Sequence, residues 1–120
     1  MNKYVENFMK RRRILNDINS PNRALREASK RIAINMPIQS GSSDIIKKAM
    51  ISIYKKYKNN PDVKLILQIH DELVFCIKKD KIKDYVDDIK NMMESSVKLR
   101  VPLKVDLKYG LTLEDMKRWD

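Results

Sequence analysis

Two apolar runs, Leu65-Ile66-Leu67-Gln68-Ile69 and Leu73-Val74-Phe75-Cys76-Ile77, are separated only by His70-Asp71-Glu72. Nothing else in the sequence constrains the fold as tightly. Both runs are short, β-branched and nearly continuous, the pattern of strands covered on both faces. So brief a connection permits only an antiparallel hairpin. The spacing predicts that hairpin over residues 64–78, with Asp71 exposed at or beside its tip and Cys76 buried. The connection is poor turn chemistry. A tight hairpin favours Asn-Gly or Asp-Gly because its central residues need positive φ, and here two acids stand side by side without a glycine. A broken local rule between two consistent strands marks a candidate site. Carboxylates on a rigid turn suit Mg²⁺, which takes oxygen ligands and accepts one or two carboxylates with substrate phosphates. An acidic surface turn beside a solvated histidine is the plainer alternative.

Around the hairpin the pattern is helical. Residues 1–9 read as the end of a helix, followed by Arg11 to Leu15 and a turn-rich stretch, Asn16 to Asn22. Ser20 and Pro21 resemble a cap and first helical residue. Ala24, Leu25, Ala28 and Ile32 then keep helical spacing until Pro37, where the helix should end or kink. A second helix carries Ile45, Ala49, Ile53 and Tyr57 on one side and Lys47, Lys48, Lys55, Lys56 and Lys58 on the other. Ser42 or Ser43 is its expected cap, with Asp44 near the positive end of its dipole. After the hairpin, Ile82 to Val97 form a further amphipathic helix. Leu103, Val105, Leu107 and Tyr109 alternate with charged residues as a half-buried strand, and a short helix over 112–119 closes the chain. The expected fold class is α/β (α+β): one partial domain over 1–120, an antiparallel hairpin and a further strand packed with amphipathic helices.

Composition narrows the function classes. The 120 residues carry a net charge of +10 with 42% hydrophobic residues, a globular rather than disordered balance. No apolar run is long enough to span a bilayer, and the N-terminus lacks a signal-peptide core. One cysteine points to a reducing compartment, cytoplasmic or organellar. The positive charge favours an anionic partner, nucleic acid first. Coding bias towards lysine is the competing explanation, and only Lys10-Arg11-Arg12-Arg13 is dense. One histidine and one cysteine cannot build a structural zinc site. Cys76 and His70 on a single hairpin do not make a nucleophile pair, and no phosphate-binding glycine loop occurs.

The segment Gln68-Ile69-His70-Asp71-Glu72-Leu73-Val74-Phe75 closely resembles the C motif of the family-A, bacterial polymerase I-like DNA polymerases. Arg11-Arg12-Arg13, Asp17-Ile18-Asn19-Ser20, Arg31 to Gln39, Asp44 to Met50 and Leu99 to Val105 follow in that family's order and spacing. The resemblance implies a segment of the palm, with Asp71 a ligand of catalytic Mg²⁺ ions and Glu72 in a supporting role. It implies that His70 lies near the primer terminus, and that Arg31, Asn35 and Gln39 approach the minor groove of primer–template DNA. Donors of these types suit the task, because the N3 and O2 acceptors there occur on every base pair. For Asn35 and Gln39 an equal alternative is that they satisfy backbone groups around a proline break. Arg11, Arg12 and Arg13 are the expected phosphate contacts.

Two departures stand out. Lys10 occupies the place where the family usually has a glycine before the arginine cluster. Ser40-Gly41-Ser42-Ser43 replaces Gly, a small hydroxyl residue and two alanines, moving the glycine by one. The family's A and B motifs, which carry the other metal-binding aspartate and the residues gripping the incoming nucleotide, have no counterpart here. The chain is therefore expected to be part of a DNA-directed DNA polymerase, inactive alone. Its expected partners are primer–template DNA, deoxynucleoside triphosphates and an upstream segment with motifs A and B. A non-catalytic nucleic-acid-binding or polymerase-interacting module is the alternative.

Overall fold

A computed structural model describes residues 3–119. The chain divides into two compact units, Met1–Lys47 and Lys48–Asp120.

In the first unit, β1 (Tyr4–Glu6) pairs antiparallel with β2 (Arg12–Ile14), Val5 opposite Arg13. In place of the helix expected over 1–9, residues 4–6 form a strand and residues 8 and 9 lie in the turn that follows, the first two positions lying outside the described residues. The Asn7–Lys10 turn reverses the chain (Lys10 N–H to the Asn7 carbonyl, 3.0 Å) and lets Tyr4 and Val5 pair across it. Pairing across this local hairpin decides in favour of the strand. Lys10 has a φ of 66°, a left-handed conformation that favours glycine. The glycine expected here from the resemblance would fit this conformation, which this chain meets with lysine.

Helix α1 (Arg23–Tyr57) runs without interruption through Pro37. This corrects two expectations, an end of the helix at Pro37 and a separate helix capped at Ser42 or Ser43. A proline removes one N–H from the ladder, and the flanking turns hold the helix across that gap. The start also shifts by two residues. Asn22 Oδ1 accepts from the Ala24 amide at 3.0 Å, while Ser20 Oγ accepts from the Asn22 amide at 3.2 Å. The last ten residues of α1 belong to the second unit, where Ala49, Ile53 and Tyr57 are buried on one side as their four-residue spacing predicts.

The second unit is built on the hairpin of β3 (Val63–Ile69) and β4 (Glu72–Ile77), closed by Ile69 opposite Glu72. Ile53, Tyr57, Val63 and Ile89 form the core, with Leu73, Phe75 and Ile77 packed against it. Strand alternation turns the other face outward. Cys76, Leu67 and Ile69 are exposed there, and the register shift between Leu65 and Leu67 leaves the adjacent Ile66 exposed as well. Burial of Cys76 and covering of both strand faces are therefore corrected, because this hairpin packs on one side only.

Helix α2 (Ile82–Glu94) buries Ile89. It stops short of Val97 because the hydroxyls of Ser95 and Ser96 donate to the carbonyls of Asn91 and Met93 at 2.6 and 2.8 Å. Of the strand expected over 103–109 only β5 (Lys108–Tyr109) forms, paired with β6 (Lys117–Arg118). No helix forms over 112–119. The chain instead turns back at Gly110, where a Cβ would lie 2.3 Å from the Asp115 carbonyl oxygen, and Trp119 packs edge-on against Tyr109 at 5.3 Å.

Candidate active site and nucleic-acid interface

The hairpin tip is a two-residue turn, His70-Asp71, between the paired Ile69 and Glu72. His70 has a φ of 51°, and Asp71 is not in the positive region. This sign pattern is that of a type II′ turn, whose first central position normally holds glycine. The His70 carbonyl accepts from Gln68 Nε2 at 2.9 Å. A non-glycine residue in this region costs on the order of 1–3 kcal/mol, and such strain concentrates at functional sites. Asp71 and Glu72 are both exposed. Among the described residues neither carboxylate has a hydrogen-bond or ion-pair partner. Their oxygens remain open to an outside ligand.

Two adjacent carboxylates with free lone pairs fit a hard divalent cation such as Mg²⁺. They fit it only in part, since the described residues contain no cluster of three or more metal-ligating side chains.

In the first unit, Arg31, Asn35 and Gln39 are all exposed. Because α1 continues through Pro37, they recur every fourth residue on one face and span about 12 Å of axis. No side-chain hydrogen bond of Asn35 or Gln39 occurs among the described residues. The backbone-satisfying role considered for them around a proline break has neither a break nor such a bond to support it.

The three neighbouring arginines differ sharply. Arg11 grips Asp44 side-on, donating from a terminal nitrogen at 2.9 Å and from Nε at 3.1 Å. Arg12 stacks 4.3 Å over the Tyr4 ring and reaches Glu6 at 3.1 Å. Arg13 is exposed and has no such partner among the described residues.

Sequence reasoning missed the network around Asp44, which is a buried group in mid-helix rather than a first-turn acid. The buried Asn7 donates to Asp44 at 2.7 Å and to Ser40 Oγ at 2.8 Å, and its Oδ1 accepts the Met9 and Arg11 amides. The Arg11 guanidinium, then Asn7, hold the Asp44 carboxyl below the usual range. One turn away, a Cβ on Gly41 would lie 3.1 Å from the Phe8 ring. The displaced glycine thus gives the Phe8 side chain its seat. The available signal was an acid three residues after that glycine on one helix face. Also missed was Asp88, which accepts from Lys56 Nζ at 2.6 Å and from the Tyr57 hydroxyl.

The fold and the strained acidic turn define a class, a segment of a polymerase domain. The sequence model of DNA polymerase family A matches residues 1–115. The chain is 46% identical over 118 residues to DNA polymerase I of Caldicellulosiruptor bescii, covering 97% of the chain and 14% of that protein. It is 44% identical over 115 residues to DNA polymerase I of Bacillus caldotenax, covering 95% of the chain and 13% of that protein. The POL domain of Pol1 from M. smegmatis, solved in complex with DNA primer-template and dNTP, superposes with a TM-score of 0.80 at 36% identity. That likeness covers 85% of this chain and 18% of the other. This chain belongs to DNA polymerase family A. It spans only about one seventh of the length of these relatives. No helix among the described residues is long and apolar enough to cross a membrane.

Proposed function

We propose that the chain is the C-terminal palm segment of a DNA-directed DNA polymerase and works with an upstream segment bearing motifs A and B. The reaction of the assembled enzyme is attack of a primer 3′-hydroxyl on the α-phosphate of a deoxynucleoside triphosphate, with pyrophosphate leaving. One observation carries the reading: a strained, glycine-free hairpin turn presents two unpartnered carboxylates in a chain 46% identical to a DNA polymerase I.

Asp71 is the principal Mg²⁺ ligand and Glu72 a supporting one. Bound Mg²⁺ would neutralise charge developing on the reacting phosphate oxygens. His70 sits beside Asp71 in the turn and faces the primer terminus. Arg31, Asn35 and Gln39 offer donors at four-residue intervals on an exposed helix face, a spacing suited to following the minor groove without reading sequence. The arginine-bearing hairpin supplies cationic contact to the phosphate backbone.

Primer extension tests the proposal. The isolated chain is expected to be inactive, since two carboxylates leave a metal shell incomplete and no phosphate-gripping loop is present. Joined by a segment carrying motifs A and B, it is expected to extend a primer with Mg²⁺. Asp71→Asn should lower that rate by roughly 10²–10³-fold or more, and Glu72→Gln by less. A folded, DNA-binding pair that extends no primer would favour the non-catalytic binding module instead.

A further inference from the structure

We infer that the three consecutive arginines divide their work, and that Arg13 alone contacts a DNA phosphate while Arg11 and Arg12 are committed within the protein. The inference rests on the DNA-binding reading above and assigns residues within it.

The physical case begins with charge. Residues 1–47 hold ten basic and four acidic side chains. Three of those acids are engaged, Glu6 with Lys10 and Arg12, Glu27 with Lys30, and Asp44 with Arg11. The Arg11 contact is bidentate onto a carboxylate that is only 6% exposed. A guanidinium that leaves it for a phosphate strands a buried charge, which is strongly unfavourable. Asn7 donates to the same carboxylate, and its Oδ1 accepts the Arg11 amide at 3.1 Å. Arg11 is thus held by both backbone and side chain. Arg12 is less tightly held, yet it has two local partners, the Tyr4 ring and Glu6. Arg13 lies on β2 opposite Val5, exposed, with its guanidinium unpaired among the described residues. Its five donors form a planar fork that matches a phosphate.

The test is fluorescence anisotropy of a labelled DNA duplex with the whole 120-residue chain, repeated over a range of salt. Each neutralised phosphate contributes about 0.9 to the slope of log K against log salt. Arg13→Ala is expected to weaken binding and to make the slope shallower by about 0.9, with an unchanged thermal midpoint. Arg12→Ala and Arg11→Ala are expected to leave the slope where it is, and Arg11→Ala also to lower the midpoint. The hairpin stays seated in Arg11→Ala through Asn7 and through Phe8 against Gly41. If Arg11→Ala fails to fold, Asp44→Asn serves in its place. It frees the Arg11 guanidinium and should steepen the slope, whereas an unchanged slope overturns the sequestration of Arg11. An Arg13→Ala slope equal to wild type, or a folded Arg11→Ala that loses as much slope as Arg13→Ala, overturns the division. Wild-type chain without salt-dependent binding overturns it together with the DNA-binding reading. Wild-type binding that Arg13→Ala leaves untouched defeats the division alone.

Discussion

The Asp44 carboxylate, in the middle of α1, receives the Arg11 guanidinium in two parallel hydrogen bonds of 2.9 and 3.1 Å. The partners are 33 residues apart and tie the loop between β1 and β2 to the helix. Asn7 completes the joint from the same loop, so one buried acid collects two donors from a segment that includes the strained Lys10.

That joint has a pH signature. Arg11, and after it Asn7, keep the Asp44 carboxyl below its usual value of 3.8. A carboxyl depressed in the folded state contributes stability that is present above its unfolded value and is lost as pH falls through the folded one. Stability should therefore decline as pH drops below 3.8. Asp44→Asn is expected to lower the melting midpoint by several degrees near neutral pH and to flatten this acid limb. Thermal melts of both proteins across the acid range check it, and a variant with an unchanged acid limb would assign the loss to other carboxyls.

At the alkaline end Tyr57 works in the opposite sense. Burial, then its hydrogen bond to Asp88, raises the phenol above its usual value of 10.0. A group raised in the fold stabilises fully below its unfolded value, and that contribution is lost as pH climbs past it. Wild-type stability should fall above pH 10.0, and Tyr57→Phe should reduce the steepness of that fall. Denaturant titrations between about pH 9 and 11 measure the difference. Equal slopes would exclude this phenol as the cause.

The turn at His70 would set stability against the proposed function. With φ at 51°, glycine fits the position better than histidine does. His70→Gly should stabilise the chain by about 1 kcal/mol, read from chemical denaturation. The same change should slow primer extension by the assembled enzyme, because the imidazole beside Asp71 is gone. A variant that is no more stable would mean that the turn stores no strain at this residue.

Pro37 offers a second gain. It sits inside a helix that continues on both sides, so its missing N–H leaves the Ala33 carbonyl without its i+4 donor. Pro37→Ala is expected to raise stability by on the order of 1–3 kcal/mol. Unfolding curves decide it, and a loss of stability would show that the proline ring itself packs usefully.

The sequence by itself determined the hairpin, its acidic tip and the family, because these are written in contiguous residues. Leu65 to Ile77 alternate between two apolar runs and a glycine-free turn, and short-range patterning fixes such a unit without outside help. Buried Ala49, Ile53 and Tyr57 were legible for the same reason, as a four-residue spacing on one helix. Only the tertiary structure decided where local preference and long-range contact compete. Met36-Pro37 reads as a break, yet the helix persists, and its persistence is what aligns Arg31, Asn35 and Gln39 on one face. Cys76 reads as a core residue, yet the hairpin covers one side only and alternation leaves it exposed. Arg11, Arg12 and Arg13 read as three equal cations. Asp44, Glu6 and Tyr4 distinguish them, since a guanidinium's freedom depends on which acid or ring the folded chain brings to it.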